Sequence, residues 1–166
     1  LAGMIDSVEL EKRAKEQLEK RAKELDISSY TRLEQLFILT IQEVISQSGV
    51  NLQELDCALL LSTTKGNIDL LSDQEKRTNS DKPSDSVQST IDNSSFLQEL
   101  SVDSPAFLWK MAERIGNFFE AANQVEVISN ACISGVSALV VAKRWIELGR
   151  YKRVIVAGGD ILSHFI

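Results

Sequence analysis

The spacing of hydrophobic residues predicts two amphipathic helices in the first third of the chain. Apolar residues recur at intervals of three and four over residues 8–25 and again over 31–48. The first helix is narrow and highly charged, as expected of a solvated surface helix. The second has a broad apolar face. Thr31 and Glu34 have the spacing of a capping box, and Gly49 is a natural stop for this helix.

Short apolar runs predict strands in the rest of the chain. The run over 57–61 is unbroken, which favours a strand buried on both faces of a parallel sheet, although buried helices have the same composition. A third helix is predicted over 105–119. A strand over 124–130, a helix over 133–148 and a strand over 153–160 then form a unit typical of parallel pairing with a right-handed crossover. The pattern therefore predicts an α/β fold with a mostly parallel sheet.

A polar stretch separates these two regions. Residues 72–104 are rich in Ser, Asp, Asn and Lys and include Pro83. This composition predicts an exposed excursion. Because the apolar segments on either side need each other to form a core, we expect one domain over 1–166 rather than two.

Composition narrows the classes of function. The chain has 166 residues and a net charge of −6, which argues against nucleic acid as the main partner. No apolar run reaches the length of a membrane span, and the first residues lack the layout of a signal peptide. Two cysteines do not suggest a disulfide scaffold, so a cytoplasmic protein is expected. No spacing typical of a metal site occurs, and we expect no metal and no cofactor.

The helix predicted over 133–148 has an unusual composition. Apolar residues cover most of its circumference, so it is expected to be buried. Its first turns are kept thin by small residues, and another backbone could approach closely there. These small residues are Ser134, Gly135, Ser137 and Ala138.

Cys132 lies between the end of a predicted strand and the start of this helix. Backbone N–H groups and the positive end of the helix dipole at such a position favour a thiolate and can stabilise the oxyanion of an acyl adduct. The position therefore predicts a nucleophile for acyl transfer, with the N–H of Cys132 in the oxyanion hole. The alternative is a small hydrophobic core residue. That alternative is the expected role of Cys57, which lies inside an apolar strand.

The segment "VISNACISGVSALVVAKRWIELGRYKRVIVAGGD" resembles the active-site region of the β-ketoacyl-acyl carrier protein synthases, in the thiolase-like superfamily. In that family a strand leads to the nucleophilic cysteine, a buried helix follows, and the next strand ends in Gly-Gly and an acidic residue. Gly158, Gly159 and Asp160 occupy those last places. The resemblance spans about residues 30–164 and is most specific over 128–160. "SNAC" departs from the usual Thr-Ala-Cys.

The resemblance implies half of a thiolase-like fold, truncated at both ends. It implies that Cys132 takes an acyl group from an acyl carrier protein or coenzyme A thioester and that a decarboxylated malonyl thioester then attacks it. Condensation in the family also needs two histidines, or a histidine and an asparagine. This chain has only His164, whose place does not match, so we expect an N-terminal part that does not condense alone. The resemblance further implies a homodimer paired through the strand at 125–130.

Other classes of protein remain open from the residues. A cysteine acyl hydrolase with a nucleophile elbow would have Gly-x-Cys-x-Gly, but Asn130 and Ser134 occupy the glycine places. A non-catalytic partner subunit of a synthase pair typically lacks the nucleophile, whereas Cys132 is present. A purely structural domain is a further alternative. "STTKG" at 62–66 lacks the pattern of a phosphate-binding loop.

Overall fold

The computed structural model describes residues 7–68, 70 and 104–161. The excursion predicted over 72–104 lies outside the described residues except for Ser104, and His164 lies outside them too. None of the helices in the described part is long and apolar enough to cross a membrane. The described elements are helix α1 (Ser7–Glu24), helix α2 (Arg32–Ser48), strand β1 (Cys57–Ser62), helix α3 (Leu108–Phe118), strand β2 (Glu126–Ile128), helix α4 (Ser134–Glu147) and strand β3 (Arg153–Gly158).

Both ends of α2 are fixed by the residues that the sequence singled out. The Thr31 hydroxyl accepts a hydrogen bond from the Glu34 N–H (3.2 Å), and the Glu34 carboxylate accepts one from the Thr31 N–H (2.8 Å). Gly49 closes the helix in the left-handed conformation, with φ of 68°. The predicted capping box and helix stop are therefore confirmed.

Within the described residues, the three strands form one parallel sheet in the order β2-β1-β3. Leu61 of β1 lies opposite Val127 on one side and opposite Ala157 on the other. The strand–helix–strand unit that the sequence predicted is present, but its two strands flank β1 instead of pairing with each other. The fold is mixed α/β with a parallel sheet, as predicted.

The central strand β1 is buried along its whole length, which confirms the expectation of burial on both faces. Leu59 and Leu61 belong to the main core, which α2 and α3 cover. Leu60 points to the other face and packs against Ala138 and Ala142 of α4. The sheet is thus covered by helices on both sides, which explains why β1 is a continuous apolar run rather than an alternating one.

The expectation that α4 is buried all round holds only for its sheet side. Ser134, Ala138 and Ala142 are buried, whereas Val136 and Leu139 are 65% and 60% exposed. A Cβ at Gly135 would meet no atom within 4 Å, so this glycine makes no close approach within the described chain. The physical reason is that only the sheet packs against α4 among the described residues, and its outer apolar face has no second layer.

A buried carboxylate joins α2 to α3. The Glu34 side chain is fully buried, and besides its role in the capping box it accepts a hydrogen bond from Arg114 Nε at 3.0 Å. The Arg114 guanidinium also donates to the Ser29 carbonyl (3.1 Å) and lies over the Tyr30 ring, 4.8 Å from its centroid. Because a buried charge is costly without a partner, Arg114 balances the charge that the capping box brings into the core.

We expect Arg114→Ala to lower the free energy of unfolding by about 3 kcal/mol, because it leaves the Glu34 carboxylate buried without its cation. Glu34→Gln should cost less, because Arg114 is partly exposed and can reach water. Combining Glu34→Gln with Arg114→Ala should recover part of the loss, since no buried charge then remains. Urea unfolding of the three variants measures this cycle. Strictly additive losses would show that the pair is not coupled.

Candidate functional site

The carboxyl ends of the three strands lie along one edge of the sheet, because all three are parallel. β1 leads into Thr63–Lys65, β2 into Ser129–Cys132, and β3 into Asp160. This edge is where open α/β sheets bind ligands. Cys132 lies there, between β2 and α4, and its side chain is exposed.

A tight turn places Cys132. The residue before it, Ala131, has a left-handed backbone with φ of 45°, which is uncommon for a residue other than glycine. The Ser134 hydroxyl accepts a hydrogen bond from the Asn130 N–H (2.7 Å) and donates one to the Ala131 carbonyl (2.6 Å). This turn ends β2 at Ile128, two residues before the predicted end of the strand.

The same turn begins α4. The N–H groups of Ile133 and Ser134 donate to the carbonyls of Asn130 (3.1 Å) and Ala131 (3.2 Å). The Asn130 side-chain amide donates to the Ser137 hydroxyl at 3.1 Å. The helix starts at Ser134, so Cys132 lies just before a helix N-terminus, as the sequence predicted. The Asn130 side chain therefore ties this turn to the first turn of α4.

Asp160 organises the neighbouring loop after β1. Its carboxylate accepts hydrogen bonds from the Thr63 hydroxyl (2.7 Å), the Thr64 N–H (2.8 and 3.1 Å to the two oxygens) and the Lys65 N–H (3.2 Å). Partial burial opposes ionisation of this carboxyl group, but the hydrogen bonds outweigh it and hold the pKa of Asp160 below its usual range. Asp160 is therefore a charged acceptor that fixes a loop.

Gly66 completes this loop and cannot readily be replaced. Its φ is +59°, and a Cβ on it would lie 2.4 Å from Cδ2 of Leu108 at the start of α3. Its N–H donates to the Thr63 hydroxyl at 3.0 Å, so this buried hydroxyl both accepts from Gly66 and donates to Asp160. The loop is thus packed against α3 on one side and bound to Asp160 on the other.

The loop after β1 contacts the turn before Cys132 directly. The Thr64 hydroxyl donates to the Ala131 carbonyl at 3.2 Å, and the Ser129 hydroxyl donates to the Thr64 carbonyl at 3.2 Å. The sequence identified Cys132 and Asp160 but gave no role to Thr63 or Thr64. The available signal was that small polar residues follow β1 directly, where they can bond to the ends of neighbouring strands.

The two cysteines have opposite environments. Cys57 is 1% exposed at the start of β1, and burial raises the pKa of its thiol above the ordinary value. Cys132 is exposed at the sheet edge, and both cysteines are free. An exposed thiol can meet an electrophile without any opening of the fold, whereas Cys57 cannot.

Other potential sites are separate from Cys132. A groove of about 560 Å³ lies between α3 and β2. Its lining residues fall between Leu108 and Val127 in the sequence and do not include Cys132. In the described part of the chain, no cluster of three or more His, Cys, Asp or Glu side chains could hold a metal ion.

Comparison with known proteins gives one family. Residues 128–166 match the family model of 3-oxoacyl-[acyl-carrier-protein (ACP)] synthase III. The matched region contains the turn, Cys132, α4, β3 and Asp160, and it supports the β-ketoacyl-acyl carrier protein synthase family on the basis of this short region. The resemblance stated from the sequence is thereby confirmed over residues 128–166. No curated protein and no solved structure matches the chain significantly.

We expect limiting iodoacetamide at neutral pH to alkylate Cys132 at least roughly 100-fold faster than Cys57, because Cys57 reacts only after local unfolding. Peptide mapping by mass spectrometry of the folded protein measures both rates. Cys132→Ser should remove the fast reaction, and labelling in denaturant should reveal both thiols of the unmodified protein. Faster labelling of Cys57 in the folded state would contradict the structure around both residues.

Proposed function

We propose, starting from the synthase family that residues 128–166 match, that Cys132 is the acyl-accepting nucleophile of a 3-oxoacyl-acyl carrier protein synthase. The observation that carries this proposal is the position of Cys132. It is an exposed thiol at the carboxyl end of a parallel strand, held by a turn just before the N-terminus of α4. Such a placement suits covalent acyl transfer.

In the first half-reaction the Cys132 thiolate attacks the carbonyl carbon of an acyl thioester of acyl carrier protein or coenzyme A. A carbon–sulfur bond forms, and the carbonyl electron pair moves to oxygen. The Cys132 N–H donates to this oxyanion, and the N-terminal end of α4 favours the negative charge. Collapse of the adduct breaks the original carbon–sulfur bond. The departing thiolate takes up the proton that Cys132 lost.

In the second half-reaction a malonyl thioester loses carbon dioxide, and its C2 carbanion attacks the acyl carbon on Cys132. The Cys132 thiolate leaves, and a 3-oxoacyl thioester forms. Developing charge on the malonyl thioester carbonyl needs hydrogen-bond donors. The 166-residue sequence has one histidine, His164, which does not match the family's places for these donors. We propose that the 166-residue chain accepts an acyl group on Cys132 but does not by itself condense it with a malonyl thioester.

We further propose that β2 pairs with the same strand of a second copy in a homodimer. β2 is an edge strand of the described sheet. The Ile128 carbonyl accepts from the Thr63 N–H (3.2 Å), so the backbone groups of Ile128 face β1. Because these groups alternate along a strand, those of Val127 face the open edge. An unpaired edge invites association, and a symmetric dimer satisfies it in a closed way.

We expect the 166-residue chain to be acylated at Cys132 by acyl thioesters, because this step needs only the thiol and backbone donors. Intact-mass and peptide analysis after incubation with acyl-coenzyme A and with acyl carrier protein thioesters measures it. With malonyl thioester added, no 3-oxoacyl product should accumulate.

Cys132→Ser is the matched control and should not retain a thioester-linked acyl group. Absence of acylation in the folded, alkylatable protein would contradict the proposed function. Turnover that releases free acid would favour the hydrolase, and turnover to 3-oxoacyl product would show that these residues suffice for condensation.

We expect Val127→Pro to weaken self-association at least roughly 10-fold, since each subunit loses an N–H at the paired edge and two such bonds are lost per dimer. Val127→Ala keeps the N–H and serves as the control, with a much smaller change expected. Sedimentation over a range of micromolar concentrations measures the dissociation constants. A protein that stays monomeric, or equal effects of both variants, would show that this edge is not the interface.

A further inference from the structure

We propose that Asp160 is a positioning residue for Cys132, acting through Thr64 on the turn that carries the cysteine. This proposal rests on the proposed function, because it concerns how well Cys132 and its N–H are held for acyl transfer. It assigns a role in that function to Asp160 at the end of β3. Among the hydrogen bonds of the described residues, none joins Asp160 to Cys132 directly.

The first step is the hydrogen bonding of Asp160 to the loop after β1. One carboxylate oxygen accepts from the Thr63 hydroxyl, the Thr64 N–H and the Lys65 N–H, at 2.7, 2.8 and 3.2 Å. Hydrogen bonds to an ionised acceptor are about twice as strong as neutral ones. Two successive backbone N–H groups thus point at one carboxylate, which fixes the direction of the Thr64 backbone.

The second step is the hydrogen bonding of Thr64 to the turn that carries Cys132. Its hydroxyl donates to the Ala131 carbonyl, and its own carbonyl accepts from the Ser129 hydroxyl, each at 3.2 Å. The Thr63 N–H donates to the Ile128 carbonyl at the end of β2. The loop therefore contacts the chain both before and after the point at which β2 turns toward α4.

The third step is the conformation of the turn. The left-handed backbone of Ala131, with φ of 45°, costs about 1 kcal/mol or more and persists only when its surroundings enforce it. The Ala131 carbonyl accepts from three donors, which are the Thr64 hydroxyl, the Ser134 hydroxyl and the Ser134 N–H. This carbonyl belongs to the peptide unit whose nitrogen is the Cys132 N–H, so its orientation sets that of the proposed oxyanion donor.

The rates of acyl transfer and of simple alkylation at Cys132 should respond differently when the peptide unit between Ala131 and Cys132 is held less firmly. A shift of about 1 Å in a reacting group can cost about 100-fold in rate. Alkylation by iodoacetamide forms no oxyanion and needs only an accessible sulfur that can react as the thiolate. The ratio of the acylation rate to the alkylation rate at Cys132 therefore reports positioning and is insensitive to general loss of stability.

The test compares Asp160→Ala, Asp160→Asn and Thr64→Val with the unmodified chain. Asp56→Asn is the matched control, because Asp56 binds Lys152 and Arg153 at the opposite end of β1 and its loss weakens the fold away from Cys132. The first measurement is hydrogen exchange at the amides of Ile133 and Ser134, whose bonds close the turn. The second is the ratio of acylation to alkylation, with acyl-coenzyme A and iodoacetamide as probes.

We expect Asp160→Ala to speed exchange at both amides and to lower the acylation-to-alkylation ratio roughly 10-fold or more. Asp160→Asn should have a smaller effect, because its one side-chain oxygen can still accept from Thr63, Thr64 and Lys65, although the negative charge and the second acceptor oxygen are lost. Thr64→Val should act in the same direction, since it removes the bond to Ala131 and keeps the shape of the side chain. Asp56→Asn should change neither measurement at Cys132.

Unchanged exchange at Ile133 and Ser134 in folded Asp160→Ala would overturn the proposal. Faster exchange with an unchanged ratio would overturn it too. If Asp160→Ala does not fold, Asp160→Asn and Thr64→Val decide by the same criteria. If the unmodified chain is alkylated but not acylated, the proposed function fails, and the exchange measurement still decides whether Asp160 positions the turn.

Discussion

Parallel pairing on both sides of β1 is the constraint on which the rest of this structure depends. β1 is buried on both faces, and its two neighbours run in the same direction. Because parallel strands end at the same edge, three segments far apart in sequence finish side by side. Asp160 is bonded to Thr64, and Thr64 to Ala131 beside Cys132, for this reason, and no local feature of the chain would bring these residues together.

Backbone N–H and C=O groups beyond the end of a strand no longer bond to the neighbouring strand and need other hydrogen-bond partners. The loops at this edge of the sheet supply such partners. Here the partners come from the neighbouring strand ends. The Thr64 N–H donates to Asp160, 96 positions away in sequence, and the Ala131 carbonyl accepts from the Thr64 hydroxyl at a separation of 67. The bonds that satisfy the backbone also determine where the cysteine is held, so stability and the proposed chemistry share one network.

Among the described residues, helix α4 has one packed face and one exposed apolar face. Its small residues, Ala138 and Ala142, pack on Leu60 and let the helix lie close to the sheet. Its outer face carries exposed Val136 and Leu139. The apolar composition predicted complete burial, but only the face of α4 toward the sheet is packed by the described residues.

The sequence by itself determined the elements and the nucleophile candidate. Periodicity identified the helices and the buried strand, the Thr31–Glu34 spacing identified a cap, and Cys132 stood out at a strand–helix junction, because all of these depend on residues close in sequence. Only the tertiary structure decided that β1 lies between β2 and β3, that Arg114 pairs with Glu34, and that Asp160 reaches Thr64. These contacts depend on which distant segments the sheet aligns, and polar residues in loops show no periodicity that would reveal their partners.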